Sequence, residues 1–159
     1  MLIRAATQTD LPAIKMLWNA MIRDTTATFT TVEKSDEDLQ TLMQTRSDAF
    51  LVADVDGGCV GFITWGAFRA GPGYVHTAEH SIITVPERGA GRALMNAAMV
   101  QAQSQGIHVM VAGISAENTV ALAFHRRLGF AKTGHLPQVG RKDGRWIDLI
   151  LMSRELLKP

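Results

Sequence analysis

The sequence predicts one domain of mixed α/β class. Its 159 residues are the length of an ordinary single domain and are enough to bury a sizeable core. Hydrophobic residues make up 47% and charged residues 19%, which is typical of a globular chain. Strand and helix patterns follow in the order β-α-α-β-β-β-α-β-α-β-β, and no linker, repeat or low-complexity segment interrupts them.

A short strand and two helices open this order. The strand is predicted at residues 2–6, and capping side chains at 7–10 precede the first helix. Apolar residues recur at helical spacing over 11–22. Residues 24–31 are rich in threonine and are predicted to form a loop. The second helix is predicted at about 35–46, with acidic residues at its N-terminal end.

Strand patterns dominate the middle of the chain. Residues 50–54 and 60–68 are predicted strands, and the sequence Val-Asp-Gly-Gly at 55–58 predicts a hairpin turn between them. A second turn is predicted at 69–73. The next strand is predicted from Tyr74 to Val85, where Pro86 stops it.

Two helices and three strands complete the domain. The helices are predicted at 89–105 and 118–128, and a glycine follows each. Residues 109–114 lie between them and are apolar on both faces, which is typical of a central parallel strand. The final strands are predicted at 130–136 and 146–152.

The charge balance and the single cysteine exclude several classes of function. Sixteen basic and fifteen acidic residues give a net charge of +1, which argues against nucleic acid and membrane surfaces as partners. No apolar run approaches the roughly 18 residues of a membrane span, and the N-terminal residues lack a signal-peptide core. Cys59 stands alone, so no disulfide is expected and a cytoplasmic location is predicted.

A glycine turn between a strand and a helix is the most informative local motif. Residues 85–94 read Val-Pro-Glu-Arg-Gly-Ala-Gly-Arg-Ala-Leu. Free backbone N–H groups at a helix start bind anions, and Arg88 and Arg92 add positive charge. A dinucleotide-binding loop would require a third glycine at Leu94, and a P-loop would require Gly-Lys-Ser/Thr, so neither fits. A plain strand-to-helix turn remains the alternative to a phosphate site.

Five segments together resemble a known family. The first four are Ala-Glu-His-Ser-Ile-Ile at 78–83, the glycine turn, Val-Met-Val-Ala-Gly-Ile-Ser-Ala-Glu-Asn at 109–118 and His-Arg-Arg-Leu-Gly-Phe at 125–130. A fifth, Gly-Arg-Lys-Asp-Gly-Arg-Trp-Ile-Asp, follows at 140–148. In this order and spacing the chain resembles the phosphinothricin and methionine sulfone acetyltransferase branch of the GNAT superfamily. The resemblance runs from residue 3 to about 152.

This resemblance implies a fold and a co-substrate. The fold is a central mixed twisted sheet, with helices on both faces, that is splayed between its fourth and fifth strands. Acetyl-CoA lies in the gap of such proteins. The resemblance assigns its pyrophosphate to Arg88, Gly89, Ala90, Gly91 and Arg92, and its pantetheine to Ile82, Ile83 and Thr84, with backbone groups of Ile82 and Thr84 pairing with the amides. Asn118 takes the position that hydrogen-bonds the pantetheine side.

Two residues are predicted to move protons. An amine must lose its proton before it attacks a thioester, and Glu79, in a mostly apolar strand, is the predicted base. A structural hydrogen-bond network is the alternative role for Glu79. The resemblance places His125 where the family carries the donor to the departing thiolate, although its apolar helix face is also typical of a packed core histidine. His80 is predicted to be structural.

No metal site is predicted. His76 and His80 would lie roughly 13 Å apart on an extended strand, which is too far for one ion. No other His, Cys or Asp cluster has ligand spacing.

The acceptor is predicted to be a small amino acid or a close analogue. Arg69 is the candidate clamp for its carboxylate or for a sulfone or phosphinate oxygen pair, because guanidinium groups bind such oxygens with two hydrogen bonds. Thr30 and Tyr74 are further candidates for the pocket, beside Arg141 and Trp146. Relatives often carry a second arginine where this chain has Gly71, which weakens the case for phosphinothricin itself. The branch also implies a homodimer.

Two other functions stay open. One is acetylation of a protein N-terminus or lysine, against which the bulky loop at 68–74 argues. The other is a module that binds acetyl-CoA without turnover. The turn between Pro86 and Ala93 is about three residues shorter than the family's loop, and this shortening is the one feature that favours such a module.

Overall fold

The computed structural model describes residues 1–86 and 88–156, and Glu87 of the glycine turn lies outside them. Seven strands form one sheet in the order β1-β2-β3-β4-β5-β7-β6. The strands are β1 (Leu2–Ala5), β2 (Phe50–Val55), β3 (Gly58–Ala67), β4 (Thr77–Thr84), β5 (Val109–Ser115), β6 (Ala131–Lys142) and β7 (Arg145–Glu155). The helices are α1 (Leu11–Asp24), α2 (Asp36–Arg46), α3 (Ala90–Ser104) and α4 (Thr119–Arg127). The predicted order of elements is confirmed.

The helices cover both faces of the sheet, as the resemblance implies. On one face α1 and α2 bury Ile14, Ile22 and Leu39 against Phe50 and Phe62. On the other face α3 packs its buried leucine and methionine stripe on β2, β3 and β4, and α4 adds Ala121, Leu122 and Phe124 at its margin. Each helix therefore buries one apolar stripe and leaves its polar side in solvent. None of the described helices has the length and apolarity to cross a membrane.

The predicted splay lies between β4 and β5. Antiparallel pairing joins β3 and β4 over seven consecutive positions, from Gly61–Thr84 to Ala67–Ala78. The parallel pairing of β4 with β5 covers only three positions and ends at Glu79–Val111. Beyond that point β5 pairs with β7 alone. The sheet therefore forks after Glu79, and one edge of β4 is left open.

Predictions for the turns are confirmed where glycine sets the backbone. The β2–β3 hairpin turns at Asp56 and Gly57, which both have positive φ, at 53° and 83°. Two consecutive left-handed residues make the type I′ turn that matches strand twist. Gly106 and Gly129, each with φ of 84°, follow α3 and α4. They provide the left-handed residue that ends a helix.

Two predicted strand boundaries were wrong. The fourth strand was expected from Tyr74, but Pro72–Tyr74 forms a 3-10 turn and β4 begins at Thr77. The proline favours that turn because its ring presets φ, so Tyr74 and Val75 are exposed and His76 precedes the strand. The last hairpin is longer than predicted, since β6 continues to Lys142 through an irregularity between Leu136 and Gly140.

Candidate active site

A cleft of about 360 Å³ opens where β4 and β5 part. Its floor consists of β4 and β5 residues from both sides of the fork, and its walls come from α1, the 25–34 loop and α4. The lining residues are Trp18, Met21, Ala27, Thr28, Thr30, Lys34, Glu79, His80, Ser81, Ile82, Ile83, Ala112, Gly113, Ile114, Asn118, Ala121 and His125. Residues from five elements of the chain therefore meet at the fork.

The open edge of β4 presents main-chain groups to the gap. Val85 donates its N–H to Val60 of β3 at 2.8 Å, and main-chain direction alternates along a strand. The N–H and C=O groups of Ile82 and Thr84 must then point away from β3, into the gap. Those of Ile83 point toward β3, and its side chain lines the cleft. The gap therefore offers unpaired strand groups to an extended ligand with amides.

The α3 helix begins at the glycine turn beside this gap. Gly89 is the residue before the helix and has φ of 67°, and a Cβ added there would meet none of the described residues within 4 Å. Arg88 and Arg92 are exposed, while Ala90 is buried. The ring of Phe124 in α4 lies 3.2 Å from the position of a Cβ at Gly91. The turn is thus open to solvent on its outer side, and its first N–H groups have no partner within the helix.

Glu79 stands at the fork on the face that α1 and α2 cover. It is exposed on that face, and its Oε1 lies 2.8 Å from where a Cβ of Gly113 would be. The absence of a side chain on Gly113 therefore lets the carboxylate lie across β5. Partial burial raises the pKa of Glu79, and the positive charge of Arg46 opposes that rise. A raised carboxylate pKa makes a stronger base near neutral pH.

Arg46 was not predicted as a site residue. Its guanidinium lies directly over Gly66, where any Cβ would collide with it, and Gly66 is the β3 partner of Glu79. Burial lowers the pKa of Arg46, and the nearby Glu79 carboxylate partly restores it. The last residue of α2 thus brings a half-buried cation beside the predicted base.

On the opposite face His125 lies against His80. The two Nε2 atoms are 3.0 Å apart, and the side chains are 3% and 7% exposed. His80 Nδ1 contacts the Val111 carbonyl at 2.9 Å, and His125 Nδ1 contacts the Ala121 carbonyl at 2.7 Å. Burial lowers the pKa of both imidazoles, and for His80, with a pKa of about 4, repulsion from His125 contributes. His80 is buried as a structural residue would be, but its contact with His125 was not predicted.

Asn118 caps α4 at the mouth of the cleft. Its Oδ1 accepts the N–H of Ala121 at 3.0 Å, so the amide oxygen is engaged in the cap. Its side chain also lines the cleft. Since a carboxamide carries two further N–H donors, Asn118 can hold the helix and still donate to a ligand.

The three predicted acceptor residues occupy different places. Thr30 lines the cleft, whereas Arg69 and Tyr74 lie on the exposed loop that follows β3. The Arg69 guanidinium stacks 5.3 Å from the ring of Phe68, and Tyr74 lies 6.4 Å from the same ring. Arg141 and Trp146 stack on each other on the exposed β6–β7 hairpin. Only Thr30 of this set is therefore brought to the fork.

The outer wall of the cleft is held by contacts that are distant in sequence. Lys142, which is 5% exposed, donates to the carbonyls of Ile22 at 2.6 Å and Thr28 at 3.0 Å. The ring of Phe29 packs on Gly140, where a Cβ would collide with it. The β6–β7 hairpin thus fixes the 25–31 segment that was predicted only as a loop.

At its far end the same wall is tied to α1. Asn19 exchanges two hydrogen bonds with the main chain of Lys34, at 3.0 and 2.7 Å. The Lys34 ammonium lies 5.3 Å from the Trp18 ring and lines the cleft. Within residues 1–86 and 88–156, no group of three His, Cys, Asp or Glu residues could hold a metal ion.

The residues that were missed are those whose partners lie far away in sequence. His80 and His125 are 45 residues apart, and period-two alternation gives the face of His80 but not the helix that covers it. For Arg46 the only available signal was Gly66, a glycine inside a predicted strand, which often marks a close approach.

The chain is similar to known proteins both in sequence and in fold. Residues 3–151 match the family described as Acetyltransferase (GNAT) domain. An L-methionine sulfoximine/L-methionine sulfone acetyltransferase of Pseudomonas aeruginosa is 35% identical over 97% of this chain and 94% of its own length. A Salmonella typhimurium protein solved with its cofactor acetyl-CoA is 33% identical, covers 100% of this chain and 95% of its own, and has a TM-score of 0.94.

A further solved structure is that of a protein named for a different acceptor. A ribosomal-protein-alanine N-acetyltransferase from Brucella melitensis is 36% identical, covers 98% of this chain and 100% of its own, and has a TM-score of 0.92.

Proposed function

This chain belongs to the GNAT acetyltransferase family, and on that premise we propose that it transfers the acetyl group of acetyl-CoA to the amine of a small amino acid of the methionine sulfone or methionine sulfoximine type. The geometry of the fork supports this proposal most directly. The fork after Glu79 opens one edge of β4 and brings a carboxylate and an imidazole pair to opposite faces of the same cleft. Such an arrangement can both activate an amine and receive a departing thiolate.

Acetyl-CoA would be held by the open strand edge and the helix start. Its pantetheine has two amides, which match the main-chain groups of Ile82 and Thr84 that face the gap. Its pyrophosphate is a dianion, which suits the free N–H groups at the start of α3 and the exposed side chains of Arg88 and Arg92. Gly89, Ala90 and Gly91 would let the phosphate approach the main chain, and Asn118 would donate to the pantetheine.

Glu79 is proposed as the base. An amino-acid amine is mostly protonated at neutral pH and must lose that proton before its lone pair attacks the acetyl carbon. The carboxylate of Glu79 lies at the fork, and its raised pKa brings it nearer to that of the amine. The fraction of ionised Glu79 falls as pH drops through this pKa, so activity should be lost toward acid pH.

His125 is proposed to return a proton to the coenzyme A sulfur. It lies on the other side of the fork from Glu79, so the proton that leaves the amine and the proton that reaches the thiolate use separate groups. The tetrahedral intermediate expels the sulfur with its electron pair, and an S–H bond forms with the donated proton. The net reaction releases one proton to solvent for each amine acetylated.

The acceptor pocket combines apolar and cationic surface. Trp18 and Met21 line the cleft with apolar area, and Lys34 brings an ammonium group to it. Arg46 adds a second cation beside Glu79. A small zwitterionic amino acid with polar side-chain oxygens suits a cleft of about 360 Å³ with this lining. Thr30 is proposed to contact the acceptor, with Arg69 and Tyr74 closing over it from the neighbouring loop.

Thiol release with a panel of acceptors tests the proposal. Methionine sulfone, methionine sulfoximine, phosphinothricin and the common amino acids would each be offered with acetyl-CoA, and free coenzyme A measured. We expect turnover on a free amino acid and a loss of about 10²–10⁴-fold in kcat/KM in Glu79→Gln. The dissociation constant for acetyl-CoA, measured by calorimetry, should be unchanged in that variant. Turnover that survives the substitution would remove Glu79 from the mechanism.

A second acceptor class is favoured by the Brucella melitensis structure described above. Its name gives an alanine of a ribosomal protein as the acetylated residue. A peptide with an N-terminal alanine belongs in the same panel. Activity on that peptide alone would assign this chain to protein acetylation, and tight acetyl-CoA binding without any turnover would support a non-catalytic module.

We also propose that the protein works in the cytoplasm as a homodimer. The lone half-buried Cys59 suits a reducing compartment. The dimer rests on the likeness to the branch, whose acceptor site commonly lies near a subunit interface. Sedimentation of the purified chain at assay concentration gives the mass directly.

A further inference from the structure

Two buried imidazoles meet at the fork without a carboxylate partner. His80 of β4 and His125 of α4 approach through their Nε2 atoms at 3.0 Å, with ring centroids 5.1 Å apart. Phe130 packs against both rings at 5.8 and 5.2 Å, and Phe124 packs against His125. We call His80 and His125 the histidine pair.

No charged side chain among the described residues is hydrogen-bonded to the pair. The residues of β5 carry no titratable side chain. The charged groups on the other surrounding elements and on the cleft wall are Arg126 and Arg127 of α4, Arg92 of α3, Arg145, Asp148, Arg154 and Glu155 of β7, Lys34, and Glu79 of β4 with its neighbour Arg46 on the opposite face. No carboxylate lies within hydrogen-bonding distance of either ring among the described residues, so the protons of the pair are set by its own hydrogen bonds.

Those hydrogen bonds fix the position of two protons. The oxygens of Val111 and Ala121 are carbonyl acceptors, at 2.9 Å from His80 Nδ1 and 2.7 Å from His125 Nδ1. A carbonyl cannot donate, so each Nδ1 must carry a hydrogen. A neutral imidazole has only one N–H, and both Nε2 atoms would then be bare acceptors that face each other at 3.0 Å. Three hydrogen bonds therefore require three protons, one more than a neutral pair holds.

From this geometry we infer that the histidine pair binds one extra proton between its two Nε2 atoms and delivers that proton to the departing thiolate. His80 is then a positioning residue: it fixes the tautomer of His125 and shares its charge. The delivery step rests on the proposed function. The C–S bond breaks with its electron pair on sulfur, an N–H bond of the pair breaks, and an S–H bond forms. The pair is left neutral, with two protons, and solvent returns the third.

The surroundings limit the pair to a single positive charge. Burial lowers the pKa of both rings, and burial together with repulsion from His125 brings the pKa of His80 to about 4, so a second charge is excluded above that pH. The shared N–H···N hydrogen bond raises the pKa at which the pair takes up its first extra proton, because it stabilises the singly charged form. The pair should therefore titrate as one unit, with one proton for two rings.

Nitrogen-15 NMR of the histidine-labelled protein tests the shared proton without any assay. Long-range proton–nitrogen spectra would be recorded across the pH range of imidazole titration, with exposed His76, His108 and His135 as internal references. We expect both Nδ1 atoms of the pair to stay protonated, and both Nε2 signals to move together with the amplitude of one proton. Independent titration of the two rings, or an unprotonated Nδ1 on either, would overturn the inference.

The variant His80→Gln tests delivery to the thiolate. A glutamine amide can hydrogen-bond to His125 Nε2 but cannot share a proton, so kcat should fall about 10- to 100-fold and its basic limb should move to lower pH. If His80 had only a structural role, His80→Gln would lower the melting temperature and leave the basic limb of kcat at the same pH. That result would contradict delivery of the proton to the thiolate. Glu79→Gln should abolish activity yet leave the NMR titration of the pair intact. If no amine is acetylated, the proposed function fails while the NMR result still decides the shared proton.

Discussion

The two faces of the sheet differ sharply at the fork. On the face of α1 and α2, Glu79 is exposed and a cation lies beside it. On the face of α3 and α4, one residue further along β4, His80 is 7% exposed. Its ring nitrogens contact the Val111 carbonyl and the His125 imidazole, and the ring of Phe130 packs beside it. Successive strand residues point to opposite faces, so one strand can place two groups that handle protons in a wet and a dry environment.

The same strand also differs between its two edges. Seven positions of β4 pair with β3, whereas three pair with β5. The paired edge fixes the position of the strand, and the open edge is available to a ligand. A rigid scaffold and a binding site can therefore share a single strand when pairing stops part-way along it.

On the face of the sheet that carries Glu79, the largest effect among the neighbours of Glu79 is expected from adding a methyl group at Gly113. A methyl group there would stand 2.8 Å from the present position of Glu79 Oε1, so Gly113→Ala should push the carboxylate aside. We expect kcat to fall about 100-fold, since a shift of roughly 1 Å at a reacting group costs that much. Steady-state thiol release measures this loss.

A matched variant controls for the added methyl group. Gly58→Ala places a Cβ at an ordinary 3.5 Å from the Val55 carbonyl, away from the fork, and should leave kcat unchanged. The acetyl-CoA dissociation constant of Gly113→Ala should also stay near that of the unmodified chain. If Gly113→Ala were as active as Gly58→Ala, Glu79 would not need its present position.

A smaller effect is expected from removing the cation on the same face. The positive charge of Arg46 lowers the pKa of Glu79, so Arg46→Gln should raise it further. Glu79 acts as a base only when ionised, so the acidic limb of kcat/KM should move to higher pH. At neutral pH the loss should be about two- to fivefold, the range of a partly exposed charge pair.

The pH profile of Arg46→Gln would be compared with that of Lys15→Gln. Lys15 pairs with Asp36 at the surface, so this control removes one positive charge away from the fork. Its acidic limb should not move. A shift of equal size in both variants would mean that the net charge of the protein, rather than Arg46 beside Glu79, determines the pH of the acidic limb.

Much of the fold followed from local pattern, because glycine and proline act within a few residues. The order of elements, the Asp56–Gly57 turn and the helix ends at Gly106 and Gly129 are of this kind. The start of β4 was wrong because β-branched and aromatic residues at 74–77 favour a strand, while Pro72 imposes a turn on the segment before them. A local preference cannot show which of two competing signals dominates.

The site was only partly predictable for a different reason. Glu79 was predicted from its place in an apolar strand, and His125 and Asn118 were predicted from the family resemblance; all three line one cleft. The residues around them were not predicted. The guanidinium of Arg46 in α2 lies over Gly66 of β3. Lys142 fixes the cleft wall by donating to the carbonyls of Ile22 and Thr28. These contacts join residues that are far apart in the chain, and no pattern in a single sequence encodes them.

Hydrogen exchange at single β4 amides tests most directly whether the fork binds acetyl-CoA. The amides of Ser81 and Ile83 are bonded to β3 and should exchange slowly with or without coenzyme A. Those of Ile82 and Thr84 face the gap and should exchange quickly in the free protein, then slow by at least about tenfold when coenzyme A is bound. Slow exchange of Ile82 and Thr84 in the free protein, or no change when coenzyme A is added, would mean that the open edge of β4 does not bind acetyl-CoA.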